Sequence, residues 1–315
     1  MNRIKYYLGE FYDKQVEVRI EDIPKNKNTI LLDPKNFEEN ISIQEIKKND
    51  INNYYFYPEY LRQLLKETKI KNNVIFNIKD YNDNPKLLPI LCKTRRENNN
   101  NILINFKRYR HMNLVETLVK KPDITFHLKK NKMIWRGSTT GKTSKKANRY
   151  TLVKKYYNHK EIDIGFCRNK FINNNELVGM TKDIFSEKEK NLYFKNPKEM
   201  IELLKYKYLI SVEGNEVASG LKWMLYSNSV VLMAKPRNFS WIMEDKLIPY
   251  FHYIPLKDDF SDLEEKYSWC LNNNERCKYI SKNATNYMKQ FLDINKEREI
   301  EREVIRIYNK NIKII

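Results

Sequence analysis

The sequence contains little glycine, cysteine and histidine, and each shortage excludes a class of structure. Seven glycines in 315 residues, with no motif recurring at a fixed period of about 20–50 residues, argue against solenoids and propellers. The four cysteines lack CxxC spacing and are scattered among only four histidines, which indicates neither a disulfide framework nor a zinc site. We therefore expect reduced, mostly structural thiols at Cys92, Cys167, Cys270 and Cys277.

Long apolar runs are also missing. No stretch approaches the ~18–20 consecutive apolar residues that a membrane-spanning helix needs. The segment 1–12 contains Arg3, Lys5 and Glu10 and lacks the apolar core of a secretory signal. These features predict a cytoplasmic protein.

The length and composition are those of a globular protein with a sizeable core. At roughly 150 residues per domain, 315 residues predict about two domains and a cleft between them. The hydrophobic fraction of 41% and the aromatic fraction of 13% exclude a chain too polar to fold.

Positive charge dominates the sequence. Fifty-nine basic and 40 acidic residues give a formal net charge of +19, which favours a polyanionic partner. Lys, Asn, Ile and Tyr are all abundant, and AT-rich codons supply these residues, so genome composition is a second explanation. The charge alone leaves both explanations open.

Helices and buried strands alternate along the chain. A predicted helix at 58–68 is followed by a buried strand at 74–78 and by a turn-forming segment that contains Asp80 and Asp83. Further on, the pattern predicts a helix at 200–205, a strand at 208–212, a turn at 214–215, a helix at 217–226, a strand at 229–233 and a long helix at 284–307. This alternation predicts parallel sheets packed between helices, with ligands beyond the carboxyl ends of the strands.

Three segments could carry chemistry, and the first follows a predicted strand. It reads Trp135-Arg136-Gly137-Ser138-Thr139-Thr140-Gly141, with Arg149 downstream. A turn of glycines and hydroxyls beside a fixed cation offers N–H groups and a guanidinium to phosphate oxygens. Because the segment is neither a Walker loop nor a dinucleotide fingerprint, a structural turn is the alternative.

The second segment runs from Glu213 to Trp223. If a helix begins near Val217, Ser219 and Lys222 share a face near its N-terminus, where free N–H groups favour a diphosphate. The alternative is an ordinary capped helix whose apolar residues pack inward.

The third segment, 241–263, ends in a cluster of carboxylates. Tandem aspartates at Asp258 and Asp259 are compatible with a hard-cation site. Ser261 followed three residues later by Glu264 instead fits a capping box at a helix start, which we favour.

Together these motifs resemble glycosyltransferase family 90, the family of Rumi-type protein O-glucosyltransferases, fungal capsule-associated proteins and bacterial lipopolysaccharide-modifying enzymes. Segments 134–141, 208–231 and 241–263 occur in the order and spacing of that family, and the resemblance covers roughly residues 74–292. It implies a GT-B architecture of two Rossmann-like lobes and inverting transfer from a UDP-sugar donor. The sequence is most similar to the bacterial or viral branch, which places the protein in the cytoplasm of a bacterium or of a virus-infected host cell.

The resemblance also implies roles for individual residues. Asp80, in the context Asn77-Ile78-Lys79-Asp80-Tyr81, resembles the family's general base, with Asp83 as the reserve candidate and a turn-forming Asp as the alternative. The residues expected at the UDP-sugar are Arg136, Gly137, Ser138, Thr140, Arg149, Gly214, Ser219 and Lys222. Further donor or acceptor contacts are expected from Lys93, Arg95, Arg110, His111, Glu213 and Glu244. For the first four, a loop cation or a packed histidine is the alternative.

No cofactor or metal is expected, because fixed cations and helix N–H groups would stabilise the leaving diphosphate. The chain departs from many eukaryotic members, which have Arg near the position of Leu221 or Lys222. Here only Lys222 supplies that charge, as a point donor rather than a bidentate fork.

The sequence thus predicts an inverting glycosyltransferase that moves glucose, xylose or galactose to a hydroxyl of a glycan, glycolipid or glycoprotein. Residues 1–130 would form the acceptor lobe, with the C-terminal helix 285–315 packed on it, and residues 131–284 would form the donor lobe. The charge also predicts weak association with an anionic membrane surface. No nucleic-acid partner is expected. The competing interpretations are a basic nucleic-acid-binding protein and a non-catalytic glycan-binding relative.

Overall fold

Two units, each with its own sheet, make up the chain. A computed structural model describes residues 2–24, 28–48, 55–78, 87–97, 99–106, 108–167 and 192–315. The first unit contains residues 1–108, 238–243 and 291–315, and the second contains residues 109–237 and 244–290. Compared with the division expected from the sequence, residues 109–130 lie with the second unit and residues 238–243 with the first.

The described residues form helices and strands in alternation. The helices are α1 (Arg3–Leu8), α2 (Ile41–Lys48), α3 (Phe56–Thr68), α4 (Arg108–Lys120), α5 (Arg149–Tyr156), α6 (Met200–Leu203), α7 (Leu221–Tyr226), α8 (Leu263–Asn272), α9 (Asn274–Lys289) and α10 (Ile294–Asn311). The strands are β1 (Val16–Val18), β2 (Thr29–Leu32), β3 (Val74–Asn77), β4 (Leu91–Cys92), β5 (Thr94–Arg96), β6 (Ile102–Leu103), β7 (Lys130–Gly137), β8 (Ile162–Phe166), β9 (Tyr206–Ile210), β10 (Val230–Ala234), β11 (Asn238–Ser240), β12 (Ile254–Leu256) and β13 (Ile312–Ile314).

The first unit is built around a four-stranded sheet in the order β2-β3-β4-β6. Strands β3, β4 and β6 are parallel, and β2 pairs with β3 in the antiparallel direction. All four residues of β3 are buried, as expected for a strand covered on both faces. Helix α3 packs its apolar stripe inward through Leu61, Leu64 and Leu65, and it ends where Lys69 adopts a left-handed conformation.

The second unit contains a five-stranded sheet in the order β12-β10-β9-β7-β8, with every pairing parallel. Alternate strand residues, among them Trp135, Ile164, Tyr208 and Leu232, enter one hydrophobic core. Parallel sheets in both units confirm the α/β class expected for a GT-B chain.

The predicted helix at 284–307 is wrong as a single element. The structure has two helices, α9 and α10, separated at 290–293. Asp293 caps the second helix, because its Oδ1 accepts a hydrogen bond of 3.0 Å from the Lys296 N–H. The apolar spacing continued across this boundary and concealed it.

Within the described ranges, no helix combines the length and apolar composition needed to cross a bilayer.

Candidate active site

The strand order of the second unit creates a crevice at one defined place. The chain runs from β7 to β8 on one side and then returns to the other side of β7 to form β9. Strand order therefore reverses between β7 and β9, with the 2-1-3-4-5 pattern of flavodoxin-like sheets. In such sheets ligands bind beyond the carboxyl ends of the strands at this switch point.

Two turns meet at this crevice, one after each strand. Gly141 in the first turn has φ +106° and donates its N–H to Asn215 Oδ1 in the second, at 3.1 Å. A Cβ at Gly214 would lie 2.9 Å from both Thr140 Oγ1 and Arg149 Nη2. The two turns can therefore touch because glycine occupies both contact positions.

Arg149, the first residue of α5, connects the two turns. Its Nη1 donates to Ser138 O at 3.1 Å, to Ser138 Oγ at 3.1 Å and to Thr140 Oγ1 at 2.8 Å. Its Nε and Nη2 donate to Val212 O at 3.3 and 3.2 Å. Asn148 caps the helix that holds Arg149, because its side chain accepts from the Thr151 N–H.

The Arg149 charge is balanced by dipoles rather than by an ion pair. No carboxylate in the described part of the chain forms a salt bridge with it. Burial lowers the pKa of Arg149 to about 10, so the guanidinium stays charged at neutral pH. A partly buried cation surrounded by two hydroxyls and carbonyl oxygens is an attractive site for an anion.

Lys145 brings a second cation to the same crevice. Its Nζ donates to Asn215 O at 2.7 Å and to Gly214 O at 3.2 Å. Sequence reasoning missed this residue because it lies among several lysines with no distinguishing spacing. Asn215 lies within the second segment, 213–223, and its contacts with Gly141 N–H and Lys145 Nζ give it a place in the crevice.

Lys222 lies in a buried pair rather than on an exposed helix face. Its side chain and that of Glu244 are each 1% exposed, and Lys222 Nζ is 3.9 Å from Glu244 Oε1. Burial lowers the pKa of Lys222, and the charges of Glu244 and Glu216 oppose that shift. Spacing along the chain provides no reason to bring Lys222 and Glu244 together, although both are candidate site residues.

The predicted helix start at Val217 is wrong. Helix α7 begins at Leu221, because residues 213–220 form turns in which Gly214 N–H donates to Glu216 O and Leu221 N–H to Ala218 O. Ser219 is therefore exposed ahead of the helix while Lys222 is buried, and the two do not share a face. A helix of six residues also has too small a dipole to define an anion site by itself.

Arg136 is fully engaged by protein groups. Its Nη2 donates to both carboxylate oxygens of Asp163 at 2.8 and 2.7 Å, and its Nη1 and Nε donate to backbone carbonyls. Asp163 on β8 also accepts from Lys195 Nζ at 2.9 Å, and these cations hold its pKa low against the effect of burial. A diphosphate contact from Arg136 remains a prediction and would require exchange of the Asp163 carboxylate for phosphate.

Gly137 is required by its neighbour rather than by a ligand. A Cβ at this position would lie 2.5 Å from the Trp135 ring. The ring in turn lies beneath Arg149, whose guanidinium carbon is 5.9 Å from the ring centroid. The absence of a Cβ at Gly137 therefore leaves room for the Trp135 indole beneath the Arg149 guanidinium.

The carboxylates near the third motif stabilise the chain around β10 and α8. Glu213 Oε1 accepts from Arg237 N–H at 2.9 Å, and Asp258 binds the Arg237 guanidinium through both oxygens at 2.6 Å. Asp259 and Asp262 accept from backbone N–H groups of Ser261 and Lys257.

The predicted Ser261 cap is wrong, because Asp262 occupies the position before α8. Among the described residues, no three potential metal ligands converge.

The first-unit candidates contact their own unit. Arg95 Nη2 donates to Tyr6 O at 2.7 Å and its guanidinium stacks on the Tyr6 ring, while Lys93 Nζ donates to Tyr57 OH at 3.4 Å. Asp80 and Asp83 lie outside the described residues. Arg110 and His111 lie within α4 in the second unit, and their side chains are outside the described part.

Comparison with known proteins agrees with this arrangement of motifs. The family model described as "Glycosyl transferase family 90" matches residues 101–314. "O-glucosyltransferase LpsA" of Dichelobacter nodosus is 30% identical over 241 residues, which are 75% of this chain and 66% of that protein. "Protein O-glucosyltransferase 3" of Homo sapiens is 34% identical over 98 residues, 31% of this chain and 19% of that protein.

The chain spans less than two thirds of the length of these relatives. Among solved structures, a glycosyltransferase from Rickettsia africae aligns with a TM-score of 0.43 and 10% identity, over 84% of this chain and 88% of that one. The family match covers most of the chain, includes the whole Arg149 crevice and both of its turns, and shows that this chain belongs to glycosyltransferase family 90.

Proposed function

We propose that this chain is an inverting glycosyltransferase that moves a sugar from a UDP-sugar to a hydroxyl of a glycan or glycoconjugate. Family membership and the names of its relatives support this reaction class and make glucose the first donor to test. The observation that carries the proposal is Arg149, a partly buried cation without a carboxylate partner in the described chain, at the switch point of a parallel sheet.

The crevice has hydrogen-bond donors that remain available to a diphosphate. Ser138 Oγ and Thr140 Oγ1 lie 3.1 Å apart, so one hydroxyl donates to the other and the second hydroxyl hydrogen is available. Among the described groups, Arg149 Nη2 has one hydrogen-bond acceptor, Val212 O, which leaves the second of its two hydrogens for a ligand. These donors would bind the diphosphate more tightly as charge develops on it.

The proposed step is a single displacement. The Asp80 carboxylate takes the proton of the acceptor hydroxyl while that oxygen attacks the anomeric carbon. The bond from this carbon to the diphosphate oxygen breaks, its electron pair leaves with UDP, and the configuration inverts. Asp83 is the reserve candidate for the base.

Fixed cations would stabilise the leaving group in place of a divalent metal. Arg149 and Lys145 provide two positive charges at the crevice without rearrangement. Contributions from Arg136 and Lys222 would require each to exchange a carboxylate for phosphate. We therefore assign the main diphosphate contacts to Arg149, Ser138 and Thr140, with Gly214 permitting the close approach.

The test is UDP release from UDP-glucose, with UDP-xylose and UDP-galactose alongside, each with and without EDTA. Arg149→Lys keeps the charge but removes the planar fork, and we expect kcat/KM to fall about 100-fold or more. Exposed Lys146 lies in the same loop, so Lys146→Met is the matched control and should stay within about twofold. Melting temperatures establish that both variants are folded.

Unchanged activity of Arg149→Lys would contradict the assignment of the donor site. Strict dependence on an added metal would overturn the metal-free mechanism while leaving the transferase assignment in place.

A further inference from the structure

An exposed aromatic patch in the second unit has no role in the proposed chemistry. It consists of Ile248, Tyr250, Phe251 and Tyr279, whose exposed fractions are 54%, 36%, 38% and 45%. The first three belong to the turn that precedes β12, and Tyr279 lies on α9. Exposed apolar side chains that cluster on one part of a surface mark interaction sites.

Ring contacts and a hydrogen bond fix the patch and its turn. The Phe251 ring packs edge-on against Tyr279 at 6.1 Å, and the Tyr250 ring packs against Trp269 at 5.6 Å. Phe251 N–H donates to Ile248 O at 3.2 Å, which closes the turn between them.

The turn also has a strained backbone. Tyr250 has φ +56°, a conformation that costs an aromatic residue energy, and its N–H donates to Tyr253 O at 2.7 Å. His252 Nδ1 accepts from Ile248 N–H at 2.9 Å and holds the turn from within. The structure therefore maintains these side chains at the surface instead of letting them collapse inward.

Cations are interleaved with the aromatic rings. The Arg276 guanidinium lies 5.1 Å from the Tyr279 centroid, and its Nη2 donates to Tyr250 O at 3.2 Å. Lys266 Nζ lies 5.9 Å from the Tyr250 centroid and 3.1 Å from Glu265 Oε1. Within the described chain Arg276 forms no ion pair, so its charge is available to an external anion.

We infer that this patch docks the protein on an anionic membrane surface. Tyrosine and phenylalanine favour the bilayer interface, and Lys or Arg beside them binds phosphate headgroups. The net charge of +19 attracts the chain to such a surface and opposes pairing of two copies through the same patch. This inference does not depend on the proposed reaction.

The test is sedimentation of the full chain with vesicles of pure phosphatidylcholine and of phosphatidylcholine with phosphatidylglycerol. We expect binding to the anionic vesicles that weakens with added salt. Phe251→Ser combined with Tyr279→Ser should lower the partition coefficient about tenfold or more, because two apolar anchors are lost. Arg276→Gln should lower it roughly fivefold on anionic vesicles alone.

Ile20→Ser is the matched control, since Ile20 is 50% exposed in the first unit and outside the patch. Equal binding of the patch variants and the wild type would overturn the inference, as would no vesicle binding by the wild type. A dimer in sedimentation velocity that Tyr279→Ser disperses would reassign the patch to self-association. Vesicle binding without UDP-sugar turnover would instead count against the proposed reaction alone.

Discussion

At the scale of single residues, the partner of each buried cation determines what that cation can do. Arg136, Lys129 and Lys222 lie beside Asp163, Asp123 and Glu244, whereas Arg149 is held by hydroxyls and carbonyls. A cation already paired with a carboxylate gains little from a phosphate, because one anion replaces another. Arg149 would gain the full interaction, and for that reason the proposed donor site depends on it most.

A residue-scale prediction concerns the base. Asp80→Asn removes the proton acceptor and keeps the shape of the side chain, so transfer should fall by about 100-fold to 10,000-fold. UDP affinity, measured by calorimetry, should stay nearly constant, because Asp80 is not among the proposed diphosphate contacts. Asp83→Asn is the matched variant three residues away. Loss of transfer in that variant, with activity retained by Asp80→Asn, would make Asp83 the base.

At the scale of elements, the site consists of two turns that follow neighbouring strands. Their contact depends on glycine at two positions, on the cap of α5 by Asn148 and on the strand order that makes β7 and β9 adjacent. The motif predicted that the helix after the second turn would present its N-terminus to a diphosphate. Because α7 begins only at Leu221, the helix contributes less to the crevice than predicted. Under the proposed function, turn geometry rather than a helix dipole would prepare the crevice for an anion.

An element-scale prediction tests this contact. Gly214→Ala places a methyl group 2.9 Å from Arg149 Nη2 and Thr140 Oγ1, so the turns must separate or Arg149 must move. We expect UDP affinity to fall about tenfold and the free energy of unfolding to fall by about 1–3 kcal/mol. Gly220→Ala is the control, because its methyl would meet the flexible end of Met224 at 3.1 Å. Equal UDP affinity in both variants would argue against close turn packing.

At the scale of the whole molecule, the two ends of the chain belong to one unit. Strand β1 pairs with β13, and Arg3 binds Glu297 through both carboxylate oxygens at 2.6 and 2.7 Å. Only a few of the charges that make up +19 have a role in the donor crevice. If that excess served nucleic-acid binding instead, a steep salt dependence with DNA or RNA and no saturable UDP binding would be the outcome.

A prediction at this scale concerns the pH dependence of stability. Burial raises the pKa of Glu301 from 4.5 to about 7, although Tyr60 OH and Arg298 donate to the carboxylate. Because the folded pKa is raised, this group stabilises the fold fully below pH 4.5, and that contribution is lost as pH rises through 7. The loss amounts to about 3 kcal/mol.

Glu301→Gln should therefore remove this pH dependence and be more stable than the wild type at pH 8, with little difference at pH 5. Urea unfolding at the two pH values measures both differences. Glu299→Gln, on the exposed side of the same helix, is the control and should not flatten the profile. A pH profile of Glu301→Gln parallel to that of the wild type would show that Glu301 ionises normally.

The amino-acid sequence by itself determined the alternation of helices and strands, because burial periodicity is local. The buried strand predicted at 74–78 and the helix predicted at 58–68 correspond to β3 and α3 within two residues at each end. It also carried the ordered motifs of the family, including Arg149, Ser138, Thr140 and Gly214. The helix boundaries at Leu221 and Asp293 were harder to predict from the sequence, since turn contacts and a cap override the apolar spacing there.

Only the tertiary structure decided which charges face a ligand and which are paired. Asp163 reaches Arg136, and Glu244 reaches Lys222, through contacts between residues far apart in sequence, which spacing does not encode. Strand order likewise appears only when the sheet forms, and it places the turns after β7 and β9 together around Arg149. The physical reason is that local patterns fix what each segment buries, whereas the partner of a buried charge depends on which segments become neighbours.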